Sequence, residues 1–136
     1  MQERYLFRGK RLDNGKWVVG LPSRRSYDGP EITAILLDDW FETDIGAMFN
    51  HSEPIDPSTI GQCTGERDKT GSFIYEGDIL FDGELYYAVD WLYGCWWIIP
   101  SNGLVIDHAE LATCALEYFE VVGNVHDNPA MFEEKR

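Results

Sequence analysis

Short apolar runs, broken every few residues by Gly, Asn, Asp or Pro, dominate the chain, a pattern of strands joined by turns rather than of long helices. Residues 5–20 show it first. Tyr5 and Phe7 on one arm, and Trp17, Val18 and Val19 on the other, flank Asp13-Asn14-Gly15. Asn-Gly is the strongest short hairpin signal because both residues tolerate positive φ, so a hairpin is predicted here. Gly20 then leads to a polar loop, Ser23 to Pro30, with turn chemistry at Asp28-Gly29-Pro30. EITAILL, residues 31–37, predicts a strand. Residues 38–57 have no clean period. Pro54 and Pro57 hold the residues before them out of helix. That places a seam between an N-terminal β portion, residues 1–54, and a C-terminal portion, residues 55–136.

The C-terminal portion is more heavily punctuated. Thr59 to Cys63 reads as an extended lead-in, and Asp68-Lys69-Thr70-Gly71 as a turn closed by a left-handed Gly71. Phe73 to Tyr75 resumes the strand. Glu76-Gly77-Asp78 predicts a kink, Ile79 to Phe81 a strand, and Asp82-Gly83 another turn. ELYYAVDWLYG then alternates, with Leu85, Tyr87, Val89 and Trp91 on one face and Tyr86, Ala88 and Asp90 on the other. CWWIIP follows the break at Gly94. Asp107 and Glu110 form a capping-box pattern that predicts a short helix over 107–116. EYFEVVGNV, 117–125, returns to strand, and Asn128-Pro129 starts a last helical turn. Short strands at this spacing predict a mainly β protein with a small antiparallel barrel or sandwich.

Composition narrows the picture. The 136 residues suit one compact domain, or one with a small appendage, and 44% apolar with 14% aromatic side chains can build a core without metal or disulfide. No apolar run approaches the length of a membrane helix. MQERYLFRGK lacks the apolar stretch of a secretory signal. A cytoplasmic protein with no membrane attachment is expected. Cys63, Cys95 and Cys114 are widely spaced and read as small buried apolar residues. His51, His108 and His126 lack ligand spacing, so neither metal nor other cofactor is expected.

Charge is unevenly spread. Within a net −13, residues 1–25 hold seven basic and two acidic side chains, and residues 26–136 hold four basic and twenty-two acidic. So acidic a body repels nucleic-acid phosphates. The basic segment is expected to find carboxylates on its own chain or on another copy, which makes a homo-oligomer an expectation to test. Direct nucleic-acid contact through residues 4–25 is the weaker alternative.

Four motifs in this sequence stand together: FRGK at 7–10, DNGKWVVG at 13–20, IDPSTIGQCTGERDKTGSFIYEGDIL at 55–80 and VVGNVHDNPAMFEE at 121–134. In order and spacing they resemble those of the YopX-like proteins of bacteriophages and prophages. The 55–80 block is the most specific, whereas 21–54 and 92–116 fit poorly. The resemblance implies a largely β protein whose C-terminal part is an SH3-type antiparallel barrel with a short C-terminal helix. It also implies a phage or prophage origin, action in the cytoplasm of the bacterial host, and no catalytic residues to carry over. Its motif residues include Gly61, Gln62, Thr64, Gly65, Gly71 and Tyr75, followed by Glu76, Gly77 and Asp78. Gly123, Asn124, Asn128 and Pro129 belong to the closing block. All are expected to be structural. Cys63 departs from the family pattern, which has an aromatic such as Tyr there, and this raises a solvent-facing thiol as an alternative to burial.

Three sets of residues could carry chemistry. Glu76, Asp78, Asp82 and Glu84 are close enough to coordinate a cation or to act as acid and base. Carboxylates at a strand kink also cap turn amides, and no His, Lys or Ser lies in the motif to complete a mechanism. The glycines at 61, 65, 71 and 77 fall short of a phosphate-binding loop, which needs G-x-x-x-x-G-K-[ST]. Trp91, Tyr93, Trp96 and Trp97 are the candidate partner-binding group. Adjacent Trp96 and Trp97 must point to opposite faces of a strand. One face is core. The other is a docking surface, or is covered by N-terminal residues such as Trp17 or Phe7. The expected function is non-catalytic binding of a host or phage protein. Two alternatives stand beside it: an acidic mimic of nucleic acid that blocks a DNA-binding host enzyme, and an enzyme using the carboxylates at 76–84.

Overall fold

The hairpin read from Asn14-Gly15 opens the fold. β1 (Phe7–Lys10) and β2 (Trp17–Arg25) pair antiparallel, with Phe7 opposite Gly20 and Lys10 opposite Trp17. Gly15 takes φ 69°, and the Asn14 side-chain carbonyl accepts the Lys16 amide at 2.9 Å. The computed structural model describes residues 5–25, 32–36, 40–43, 46–49, 52–101 and 108–133. They fall into two units, Met1–Cys63 and Thr64–Arg136.

In the first unit the strands run in the order β6-β3-β2-β1-β7. β2 continues to Arg25, where a polar loop was expected from Ser23, because β3 (Ile32–Leu36) pairs with it from Leu21 to Arg25. Beyond Gly20 only β3 flanks β2 among the described residues, an edge position that tolerates Pro22. The turn expected at Asp28-Gly29-Pro30 lies outside the described residues. β4 (Trp40–Thr43) and β5 (Gly46–Phe49) form a separate antiparallel pair, and β6 (Ser52–Pro54) lies along β3. β7 (Gly61–Arg67) enters beside β1, with Gln62 opposite Phe7. Ala34, Ile35, Ile55 and Cys63 are buried here. Gly9 and Gly20 permit the close packing: a Cβ on Gly9 would run into the Ile55 side chain, and one on Gly20 into the Leu36 carbonyl.

The seam read at 54/55 falls earlier than the division of the units, because residues 55–63 build the first one. Asp56 caps a 3-10 turn at Pro57–Thr59, its carboxylate accepting the Ser58 amide at 3.0 Å. The Thr59 hydroxyl accepts the Lys10 amide at 2.9 Å. Cys63, raised above as a solvent-facing candidate, has no exposed surface.

In the second unit the remainder of β7 runs beside β8 (Phe73–Tyr75). β9 (Asp78–Phe81), β10 (Tyr86–Leu92), β11 (Cys95–Pro100), β12 (Ala109–Glu110) and β13 (Glu120–Asn124) form an antiparallel sheet ordered β12-β11-β10-β9-β13. The expected closed barrel is not detected among the described residues: β12 and β13 are free edges of this sheet. β12 is only two residues long, and the chain leaves it into 3-10 turns at Leu111–Thr113 and Leu116–Tyr118, so no strand joins the two edges.

The helix expected over 107–116 does not form among the described residues. Glu110 pairs across to Trp97 and makes no side-chain cap bond, and Leu111 is buried. Strand pairing and burial prevail over the local capping signal. Among the described residues the α-helix is α1 (Pro129–Glu133), started by Asn128-Pro129 as predicted. The core of this unit is Ile74, Leu80, Tyr87, Val89, Ile98 and Leu111, with Trp96, Phe119 and Val121 packed against it.

Candidate functional site

Period-two alternation on β10 and β11 builds the site. Tyr87 lies opposite Pro100, Val89 opposite Ile98, and Trp91 opposite Trp96, all on one face of the hairpin. Tyr87, Val89, Ile98 and Pro100 are buried, but Trp91 is 49% exposed. The apolar face thus runs one cross-strand pair past the end of the core. Trp96 rests on the core cluster, and Trp91 meets it edge to face, with ring centroids 4.8 Å apart and planes at 69°.

A cavity of about 200 Å³ opens beside this pair. Trp91, Gly94, Cys95 and Trp96 form its hairpin wall, Thr64 and Glu66 come from β7, and Glu110, Leu111 and Ala112 complete it. Both charged residues lining it are glutamates. Neither Glu66 nor Glu110 has an ion-pair partner among the described residues.

The tip of the hairpin is Tyr93-Gly94, with φ 52° and 80°. Two positive φ values define a type I′ connection, for which Asn-Gly is preferred. A tyrosine there bears the left-handed backbone at a cost of about 1–2 kcal/mol. It recovers none of this by burial, since Tyr93 is 95% exposed. Trp97 is different. It points to the opposite face and its indole N–H donates to the Leu92 carbonyl at 2.9 Å, bracing the hairpin. Of the four aromatic candidates, Trp91 and Trp96 are therefore brought together, Tyr93 stands at the tip beside them, and Trp97 lies outside the cavity. Trp17, weighed above as a cover, lies in the first unit with the Arg8 guanidinium 4.6 Å over its ring.

Of the carboxylates at 76–84, Asp78 and Asp82 serve the backbone. Asp78, 1% exposed, accepts the Tyr75 amide at 2.7 Å. One Asp82 oxygen accepts the Glu84 and Leu85 amides at 2.9 and 2.8 Å, and the other accepts the Tyr87 hydroxyl. Burial pushes the Asp82 carboxyl up, but these donors outweigh it and hold it below the ordinary carboxylate range. Among the described residues no three His, Cys, Asp or Glu side chains converge as metal ligands. Cys95 lines the cavity, while burial pushes the Cys114 thiol up.

The remaining motif residues set strand register and turns. Gly61 and Gln62 register β7 against β1. The Thr64 hydroxyl donates to the Ile74 carbonyl, and Gly65 and Gly71 take positive φ. Gly77, at φ 88° between Glu76 and Asp78, donates its amide to Val89 and accepts that of Val125. Asn124 accepts the His126 and Asp127 amides through its side chain. Asn128 accepts the Asn124 amide and sits where a side chain on Gly123 would be, and Pro129 begins α1.

Fold and cavity together define a small, mainly β protein of two antiparallel units, with an aromatic recess in the second. The family model described as YopX protein matches residues 6–133, and the chain belongs to the YopX family. It is similar in fold to protein EF1440 from Enterococcus faecalis, whose crystal structure matches with a TM-score of 0.62 at 21% identity, covering 93% of this chain and 96% of that one. None of the curated proteins matches the chain. No helix among the described residues is long and apolar enough to cross a membrane.

Proposed function

We propose that the chain is a phage or prophage accessory protein that acts by binding a host or phage protein, without catalysis, and that the tip of the β10–β11 hairpin is its docking face. The observation that carries this is the excess of aromatic surface at the tip: Trp91 half exposed, and Tyr93 fully exposed on a backbone that a tyrosine adopts at a cost. The edge-to-face contact with Trp96 offsets part of the Trp91 exposure, whereas Tyr93 recovers nothing by burial. The cavity of about 200 Å³ is smaller than the ~300–1,000 Å³ typical of small-molecule pockets, so it suits one anchoring side chain of a larger partner.

The second unit supports the same reading as an SH3-type module. Its strands follow the order β13-β9-β10-β11-β12, a meander whose last strand returns beside the first after 3-10 turns.

Affinity capture from the bacterial host, followed by titration of the purified captured protein, tests the proposal. Trp91→Ala and Tyr93→Ala are expected to weaken that affinity by about tenfold or more while melting within a few degrees of wild type, as for a central aromatic anchor. Unchanged affinity in both folded variants would contradict it.

A further inference from the structure

We infer that the anchor taken by this recess is a cation, the arginine or lysine side chain of a basic segment on the partner protein; the inference rests on the docking reading above. Three observations converge. The recess is walled by two indoles, Trp91 and Trp96, whose π faces attract cations. Its charged lining is two glutamates, Glu66 on β7 and Glu110 on β12, placed on different elements and neither neutralised by a cation among the described residues. Its size suits one long side chain.

The contrast with the rest of the molecule sharpens the point. Arg11 forms ion pairs with Asp13 and Glu53 at 2.8 and 3.1 Å, and Lys69 pairs with Glu120 at 3.7 Å. Arg67 covers Phe73 with its guanidinium 3.9 Å from the ring centroid, an intramolecular instance of the contact proposed for the recess. The net charge of −13 adds long-range attraction for a basic segment and repulsion of an acidic one. Within the recess the stem of the side chain lies along the indoles and Leu111, and its charged head reaches the two carboxylates at the rim.

The test uses the full chain and two capped pentapeptides, Gly-Gly-Arg-Gly-Gly and its norleucine counterpart, which keeps the stem and removes the charge. The indole N–H resonances of Trp91 and Trp96, assigned through single Trp→Phe variants, report occupancy by nuclear magnetic resonance. The arginine peptide is expected to shift both signals saturably and to bind about threefold to tenfold more tightly than the norleucine peptide. The paired change Glu66→Gln and Glu110→Gln is expected to remove part of that difference and to weaken its salt dependence. Equal binding of the two peptides, arginine binding unchanged in the paired variant, or no shift with either peptide would overturn the cationic anchor. In each of these cases the docking reading stands or falls separately, on the affinity of the captured partner for Trp91→Ala.

Discussion

The Asp68 carboxylate accepts the backbone N–H of Val121 at 2.9 Å, linking a turn to a strand 53 positions further along the chain. Its other oxygen accepts the Thr70 amide, the Thr70 hydroxyl and the Ser72 amide. One buried acceptor closes the turn and fastens β13. Asp68→Asn places an NH₂ donor among groups that themselves donate. It is expected to lower stability by about 2–3 kcal/mol, read as a lower urea midpoint with an unchanged slope.

Asp68 and Asp82 also set an acid limit. Burial raises both carboxyl groups, but their amide and hydroxyl donors outweigh it, so both are held below the ordinary range. A carboxyl depressed on folding contributes stability that is complete above its unfolded pKa, near ~4, and is lost as pH falls through the folded value. Denaturant titrations are expected to show no contribution from these groups to pH dependence between about 5 and 7, and a progressive loss below about 4. Asp82→Asn should make the acid limb shallower. An acid limb left unchanged by Asp82→Asn would contradict the assignment.

The glycines separate by what surrounds them. A Cβ on Gly123 would stand 2.6 Å from Asn128 Oδ1, the acceptor of the Asn124 amide. Gly123→Ala must push that side chain aside, at a cost of about 1–2 kcal/mol. Gly71 has open space around it and φ 88°, so Gly71→Ala bears the left-handed backbone alone, about 1–2 kcal/mol. Equilibrium unfolding checks both costs, and an Ala variant as stable as wild type at either position would contradict the account.

Much of this was legible in the sequence, and the reasons are particular. Asn14-Gly15, Gly71, Gly77 and Gly83 punctuate the chain where backbone geometry demands positive φ, so turns and the strands between them could be read directly. The alternation from Leu85 to Trp91 separated the two faces of β10, though not which one is buried, and the opposed directions of Trp96 and Trp97 followed from the pleat. The capping pattern at Asp107 and Glu110 misled, because pairing with β11 is a tertiary event with no local signature. β4 and β5 had no periodic signal to find. In the candidate site the aromatic residues were visible, but Glu66 and Glu110 were not. They lie on separate strands, 44 positions apart in the sequence, and only the fold brings them to one cavity.

The central claim is that the hairpin tip is shaped for a partner at some expense to the fold, and Tyr93 tests it most directly. Asn suits the left-handed position before Gly94 far better than Tyr. Calorimetry of Tyr93→Asn beside wild type is predicted to give a melting temperature higher by about 1–4 °C. A lower melting temperature would mean that the exposed tyrosine stabilises the hairpin, and the argument that it is held there for binding would fail.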